Sequence, residues 1–340
     1  MKTFRTSVLR LLAVLFAFSA VAAMTSSGPS VSRSEPTLFD HHVHLLSPDL
    51  VKDWKSLGVP FSRPDEFYSA VPKDVAEGRV KKAFVLSMAY LYGSDWFAEL
   101  KFGPKKELES VRRENDFIAN VVASNSEKLI GFCSVNPQKE YAFEELERCS
   151  RKKGMKGVKL HLLNSGVELG DNGHISGLRK IFGWAERDRV PLMIHLNAYD
   201  PMGPSEMAEA FANLLAAFPD LEVYIAHLGG SGGYSERGRK ILRAFVDRIA
   251  KDKSFSTMNI NFEISAVVLL LESDGVEPPS EEQLALLTND LRDLGLERIV
   301  FGTDHPSFAA GHYLETLRDK LGLNTAEIET IISNKGALMK

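Results

Sequence analysis

Thr37-Leu38-Phe39-Asp40-His41-His42-Val43-His44 opens the folded part of the chain, and its reading decides the fold. The run is apolar and β-branched at its start, which favours a strand. Side chains alternate across a strand, so His42 and His44 are expected on one face, His41 and Val43 on the other. Two imidazoles at that spacing can hold one small cation. A His-x-His pair alone is a weak signal, and its weight depends on what the rest of the chain supplies.

Working outward, seven more short apolar runs follow: Ala83–Met88, Leu129–Val135, Gly157–His161, Val190–His195, Leu221–His227, Met258–Ser265 and Arg298–Thr303. Between them lie segments with apolar residues at helical spacing: Lys106–Ser126, Ala142–Lys153, Leu178–Arg189, Glu206–Ala217, Arg239–Lys251 and Glu281–Leu294. Ser280 with Gln283 reads as an N-terminal capping box and Gly295 as a helix stop. Eight strands alternating with helices predict a single α/β domain, a (β/α)8 TIM barrel over 37–340. A doubly wound open sheet is the rival, but it does not explain why polar residues gather at the ends of so many strands. That observation is the stronger guide: His161, His195, His227 and Asp304 each close an apolar run. In a parallel barrel all such ends meet at one rim. The longest excursion, Ala89–Gly103, carries Tyr90, Tyr92, Trp96, Phe97 and Phe102, and reads either as a lid over the mouth or as a packed surface loop.

Ahead of the barrel, Lys2, Arg5 and Arg10 precede the apolar run Leu11–Ala23, and small residues end it. This is the pattern of a cleaved secretory signal over residues 1–23, followed by a Ser/Pro-rich linker at 24–36. The run is shorter than the ~20 residues a membrane-spanning helix needs, so stable insertion after cleavage is not expected, and the destination is periplasmic or secreted. Export leaves two readings of Cys133 and Cys149: a single bridge, or two small buried hydrophobes, the second slightly preferred. A net charge of -4 among 340 residues offers no basic field for a phosphate backbone, so nucleic acid is not an expected partner. A small-molecule substrate is, and a homodimer is compatible with the sequence.

Asp40-His41-His42-Val43-His44, Asn136-Pro137, Lys156-Gly157-Val158-Lys159-Leu160-His161, Ile194-His195, Ala226-His227-Leu228-Gly229-Gly230 and Gly302-Thr303-Asp304-His305-Pro306 together resemble the amidohydrolase superfamily. The resemblance is to the amidohydrolase-related group that includes aminocarboxymuconate-semialdehyde decarboxylase and pyrone-dicarboxylate lactonase. It runs from Leu38 to about Met339. It implies His42, His44, His195 and Asp304 as ligands of one divalent ion, zinc by expectation. It implies Asp304 and His227 as the acid–base pair. Lys159 and His161 are then expected to bind an anionic part of the substrate or to brace the ligands. Lys159 also keeps a two-metal variant open.

The expected chemistry is hydrolysis of an amide, lactone or ester by metal-activated water. Its alternatives are a metal-dependent, non-oxidative decarboxylase of a small acid and a catalytically inactive binding barrel. Glu263 and Ser265 are read as facing substrate or capping the barrel, and Gly229–Gly233 as a tight rim turn. His174 and His312 are read as solvated, and His305 is left unassigned.

Overall fold

A computed structural model describes residues 37–56, 71–95, 97, 104–269 and 278–339. The predicted signal and linker lie outside the described residues. Eight strands form one sheet in sequential order, every neighbouring pair parallel. They are β1 (Leu38–Val43), β2 (Val80–Leu86), β3 (Leu129–Ser134), β4 (Met155–His161), β5 (Leu192–His195), β6 (Val223–Ile225), β7 (Ile260–Glu263) and β8 (Ile299–Val300). The circle is completed beyond β8, where a parallel bridge joins Val43 to His305. The His41 amide donates to Phe301, that of His44 to His305, and that of His305 to His42. This is the (β/α)8 barrel that the alternation predicts.

Two apolar layers hold it. Phe39, Phe84, Leu86, Phe132, Met193, Tyr224 and Val300 fill the barrel interior. A larger outer layer packs the far faces of the strands, including Leu38, Val43, Val85 and Val158, against the helices. Helices at Pro104–Ser124, Asn172–Asp188, Pro204–Leu215 and Glu236–Lys251 each start within three residues of the periodic segment expected there or six ahead of it. The helix at Glu281–Leu294 has the predicted bounds, with the Ser280–Gln283 capping box formed and Gly295 ending it at φ 94°.

Two expectations are corrected. His41 and Val43 do not share a face: His41 packs on Phe84 and Tyr224 inside the barrel, while Val43 belongs to the outer layer. A register shift between Asp40 and Val43 resets the alternation, so both His41 and His42 turn inward. Cys133 and Cys149 are buried, as the slightly preferred reading had it, but they are also bonded to each other. The helix Ala142–Ser150 packs on β3 and brings their Cα atoms to 6.1 Å, within bridging range. His174, for its part, sits in the first turn of a helix and accepts from the Glu168 amide, while His312 is exposed.

Candidate metal centre

The strand ends converge as the barrel requires. His42, His44, Met88, Tyr90, Lys159, His161, Asn164, His195, His227 and Asp304 line one cavity of about 20 Å³ at the C-terminal rim. Such a space accommodates roughly one water or one ion. At its floor the Nε2 atoms of His42 and His44 lie 3.2 Å apart. Asp304 Oδ1 stands 3.4 Å from the first and 3.5 Å from the second. The Asp304 backbone adopts φ 51°, a left-handed conformation rare outside glycine, and this turn aims the carboxylate back over β1.

The outer nitrogens fix the tautomers. His44 Nδ1 donates to the Leu86 carbonyl at 3.0 Å, and His227 Nδ1 donates to the Ser265 carbonyl at 2.9 Å. His42 Nδ1 donates to Glu263 at 2.7 Å. A carbonyl only accepts, so His44 and His227 carry their protons on Nδ1 and turn an Nε2 lone pair inward; His42 does the same when the Glu263 carboxyl behind it is ionised. Two lone pairs at 3.2 Å beside a carboxylate repel one another unless a cation sits among them. The donor set of two imidazole nitrogens and a carboxylate oxygen suits a divalent ion. Burial and neighbouring positive groups hold His42 well below the usual imidazole range, and burial holds His44 at about 4, so both stay neutral and able to ligate.

His195 lines the same cavity, stacked at 3.9 Å on His161 and edge-on to His227 at 5.0 Å. Its Nε2 is buried with no hydrogen-bond partner among the described residues, as expected of an atom that awaits a ligand. It stands apart from the tight group of His42, His44 and Asp304. A second group, His42, His227 and Glu263, uses the back of the His42 ring. There Glu263 is better described as the partner that orients His42.

Glu263 is the site residue whose part the sequence left undecided. It is fully buried at the end of β7 and accepts from His42 Nδ1, from the Ser265 hydroxyl at 2.9 Å and from the Ser265 amide. Burial pushes its carboxyl up to about 8, while the Ser265 donors pull the other way. Beneath it, Gly302 has no room for a side chain: a Cβ there would meet Glu263 Oε1 at 2.3 Å. Its strand-end position, in parity with the barrel interior, was the available signal.

Lys159 is fully buried, its Nζ 3.4 Å from His42 Nε2, and burial lowers its ammonium to about 8. Of the loop Ala89–Gly103, the described part begins with a short helical turn, Ala89–Gly93, that places Tyr90 4.8 Å from the His161 ring and within the cavity wall. Residues 96 and 98–103 lie outside the described residues. Gly229–Gly233 is a rim turn, bonded to the β7 end through Gly233 N and Ala266 O.

The amidohydrolase family profile matches residues 39–331. A curated relative, the 2-amino-3-carboxymuconate-6-semialdehyde decarboxylase of Dictyostelium discoideum, is 25% identical over 248 residues, 64% of this chain and 63% of its own length. Thus the match spans less than two thirds of that relative. Among solved structures, the 5-carboxyvanillate decarboxylase of Sphingomonas paucimobilis superposes with a TM-score of 0.59 at 15% identity, covering 89% of this chain and 98% of its own. The 5-carboxyvanillate decarboxylase of Novosphingobium aromaticivorans, complexed with manganese and 4-hydroxy-3-methoxy-5-nitrobenzoic acid, gives 0.57 at 15% identity, covering 87% and 93%. At such identities the superpositions speak to the fold alone, whereas the profile spans most of the sequence. This chain belongs to the amidohydrolase family.

Proposed function

We propose that this protein is a metal-dependent, non-oxidative decarboxylase of a small carboxylic acid. The observation that carries the metal dependence is the pair of inward Nε2 nitrogens 3.2 Å apart beside Asp304, and the choice of decarboxylation rests on the relatives. Hydrolysis, which the sequence favours, would use the same donors. The reactions named for the three relatives above are decarboxylations and support the other choice. His42, His44, His195 and Asp304 would hold the ion. Zinc is the expectation from the ligands, and manganese in a structural neighbour makes it the first alternative to load.

Decarboxylation exchanges a carboxylate for a proton. The bond between substrate carbon and carboxyl carbon breaks, its electron pair stays on the substrate, carbon dioxide leaves, and a proton completes the product. A bound divalent ion would supply the positive charge that holds the acid and offsets charge developing in its framework. Lys159 Nζ offers a second positive contact for an acidic oxygen. Asp304, which lines the cavity, is placed to pass a proton to carbon. His227, whose Nε2 lone pair also faces inward, relays protons to it.

The test is an assay of protein loaded with zinc or manganese against hydroxybenzoates, small unsaturated acids, lactones, esters and amides. In deuterated, 18O-enriched water, the expected result is carbon dioxide release with one deuterium in the product. Cleavage of a lactone, ester or amide with 18O uptake and no carbon dioxide would establish hydrolysis instead. The charged head and apolar run of residues 1–23 support an exported enzyme, and N-terminal sequencing of protein recovered from the native host checks it.

A further inference from the structure

Four histidines of the cavity have a hydrogen-bond partner at Nδ1 among the described residues, and one of them is wired opposite to the other three. His42, His44 and His227 have acceptors behind Nδ1. Behind His161 stands a donor: the backbone amide of Asn164 gives its hydrogen to His161 Nδ1 at 3.2 Å. A peptide N–H cannot accept, so Nδ1 must carry the lone pair and the ring proton must sit on Nε2. A ring that accepts at Nδ1 carries a single proton, so the doubly protonated form that would donate from both nitrogens is absent. The Asn164 side-chain nitrogen lies 3.4 Å from Nε2, a contact too long to set the ring proton.

We infer that His161 is a neutral hydrogen-bond donor, locked as the Nε2–H tautomer by Asn164 N–H, that binds an unprotonated oxygen of the substrate and does not ligate metal. This rests on the reading of the cavity as a decarboxylase site and deepens it. The cavity then has two unlike walls. One presents lone pairs from His42, His44 and Asp304. The other presents N–H groups from Lys159 and His161, with Tyr90 packed on the His161 ring. An acid with a single carboxylate satisfies one wall only. The substrate class that satisfies both carries a second acidic or carbonyl oxygen near the carboxyl group, as a hydroxy-acid, enol-acid or oxo-acid does. Asn164 is a positioning residue, acting on the substrate through His161.

The experiment is long-range 1H–15N NMR of the full chain labelled at histidine nitrogens and loaded with zinc, with His161→Gln to assign the signal. The missing signal is expected to be an Nε2–H imidazole, while those of His42, His44 and His227 are Nδ1–H. An Nδ1–H or doubly protonated signal for His161 overturns the inference. Zinc stoichiometry is expected to stay at the wild-type value in His161→Gln and His161→Asn; loss of the ion in both would make His161 a ligand and also overturn it. These readouts need no turnover, so they stand whether or not decarboxylation is observed. With an acid that is turned over, His161→Asn is expected to raise KM about tenfold or more, the worth of one charge-assisted hydrogen bond. His161→Gln, whose terminal NH2 reaches nearer the Nε2 position, is expected to recover most of that loss. Equal KM for both variants and wild type would refute the contact with substrate.

Discussion

Replacing Glu263 tests whether the cluster at the barrel rim is a metal site tuned from behind. Its carboxylate accepts from His42 Nδ1 at 2.7 Å, from the Ser265 hydroxyl at 2.9 Å and from the Ser265 amide, with no solvent access. Partners of this kind set the ring's orientation and raise its basicity, and their loss typically costs 10- to 100-fold in metal affinity, about 1.4 to 3 kcal/mol. Glu263→Gln keeps an oxygen for His42 Nδ1 but loses the negative charge that a bound cation would favour, so the loss should fall near the tenfold end. Glu263→Ala leaves the His42 and Ser265 donors without a partner and should reach the hundredfold end, with about 1–3 kcal/mol of stability lost for each buried orphan. Gly302→Ala reaches the same result without touching a polar group, because its Cβ would lie 2.3 Å from Glu263 Oε1 and 3.0 Å from the His42 Cβ. Zinc affinity measured by competition with a chromogenic chelator, with circular dichroism to confirm folding, ranks the three variants. Wild-type affinity in folded Glu263→Gln and Gly302→Ala would refute the idea that Glu263 acts on metal through His42.

Other perturbations act on separate parts of the molecule. Asp304→Asn should retain the fold yet lose about 10²- to 10⁴-fold in turnover, the usual weight of a placed proton donor, measured as carbon dioxide release. Burial raises the Glu114 carboxyl to about 7, above its ordinary 4.5, so the folded state favours the acid form. Its stability contribution is full below pH 4.5 and is lost as pH rises to about 7. Glu114→Gln removes that loss, so its stability relative to wild type, from urea melts, should improve by about 3 kcal/mol between those pH values; a pH-independent difference contradicts the assignment. Reducing the Cys133–Cys149 bridge, which closes a loop of 16 residues, should lower unfolding free energy by about 3 kcal/mol, seen as a lower Tm with reductant.

Most of the barrel is legible because period-2 and period-3.6 patterns are properties of neighbouring residues. Each of the eight predicted runs overlaps a strand, and the polar residue that closes β1, β4, β5, β6 or β8 does line the cavity. Three things escape. The predicted strands run past the sheet at β6 and β8, because Ala226-His227 and Phe301-Gly302-Thr303 follow apolar runs without a break in pattern, yet the chain leaves the sheet through left-handed residues at His227, Leu228 and Asp304. The bulge in β1 is invisible to strict alternation, since it is imposed by pairing with β2. The Cys133–Cys149 bridge depends on how a helix docks on β3, a distance that composition cannot convey. Glu263 belongs to the same class. Its neighbours in sequence say strand end, and only the packing of β7 beside β8 and β1 says that it grips His42.

The hydrogen bonds that finish the barrel are also the ones that assemble the candidate metal centre. Asp40, buried under the site, accepts from the His42 amide and from both the amide and hydroxyl of Thr303. It thereby clasps the residue beside Asp304 to the strand that carries His42 and His44. The adjacent His44–His305 and His305–His42 backbone bonds complete the same seam. Closure and ligand convergence are therefore one event, and an ion bound across it adds its binding free energy to closure. At a free metal concentration 100 times Kd the added stability is about 2.7 kcal/mol. Thr303→Val, which removes the hydroxyl but keeps the shape, should lower both the metal-free Tm and the zinc affinity. If it lowered the Tm while zinc still bound as tightly as in wild type, the seam and the site would be independent, and the clasp would serve the fold alone.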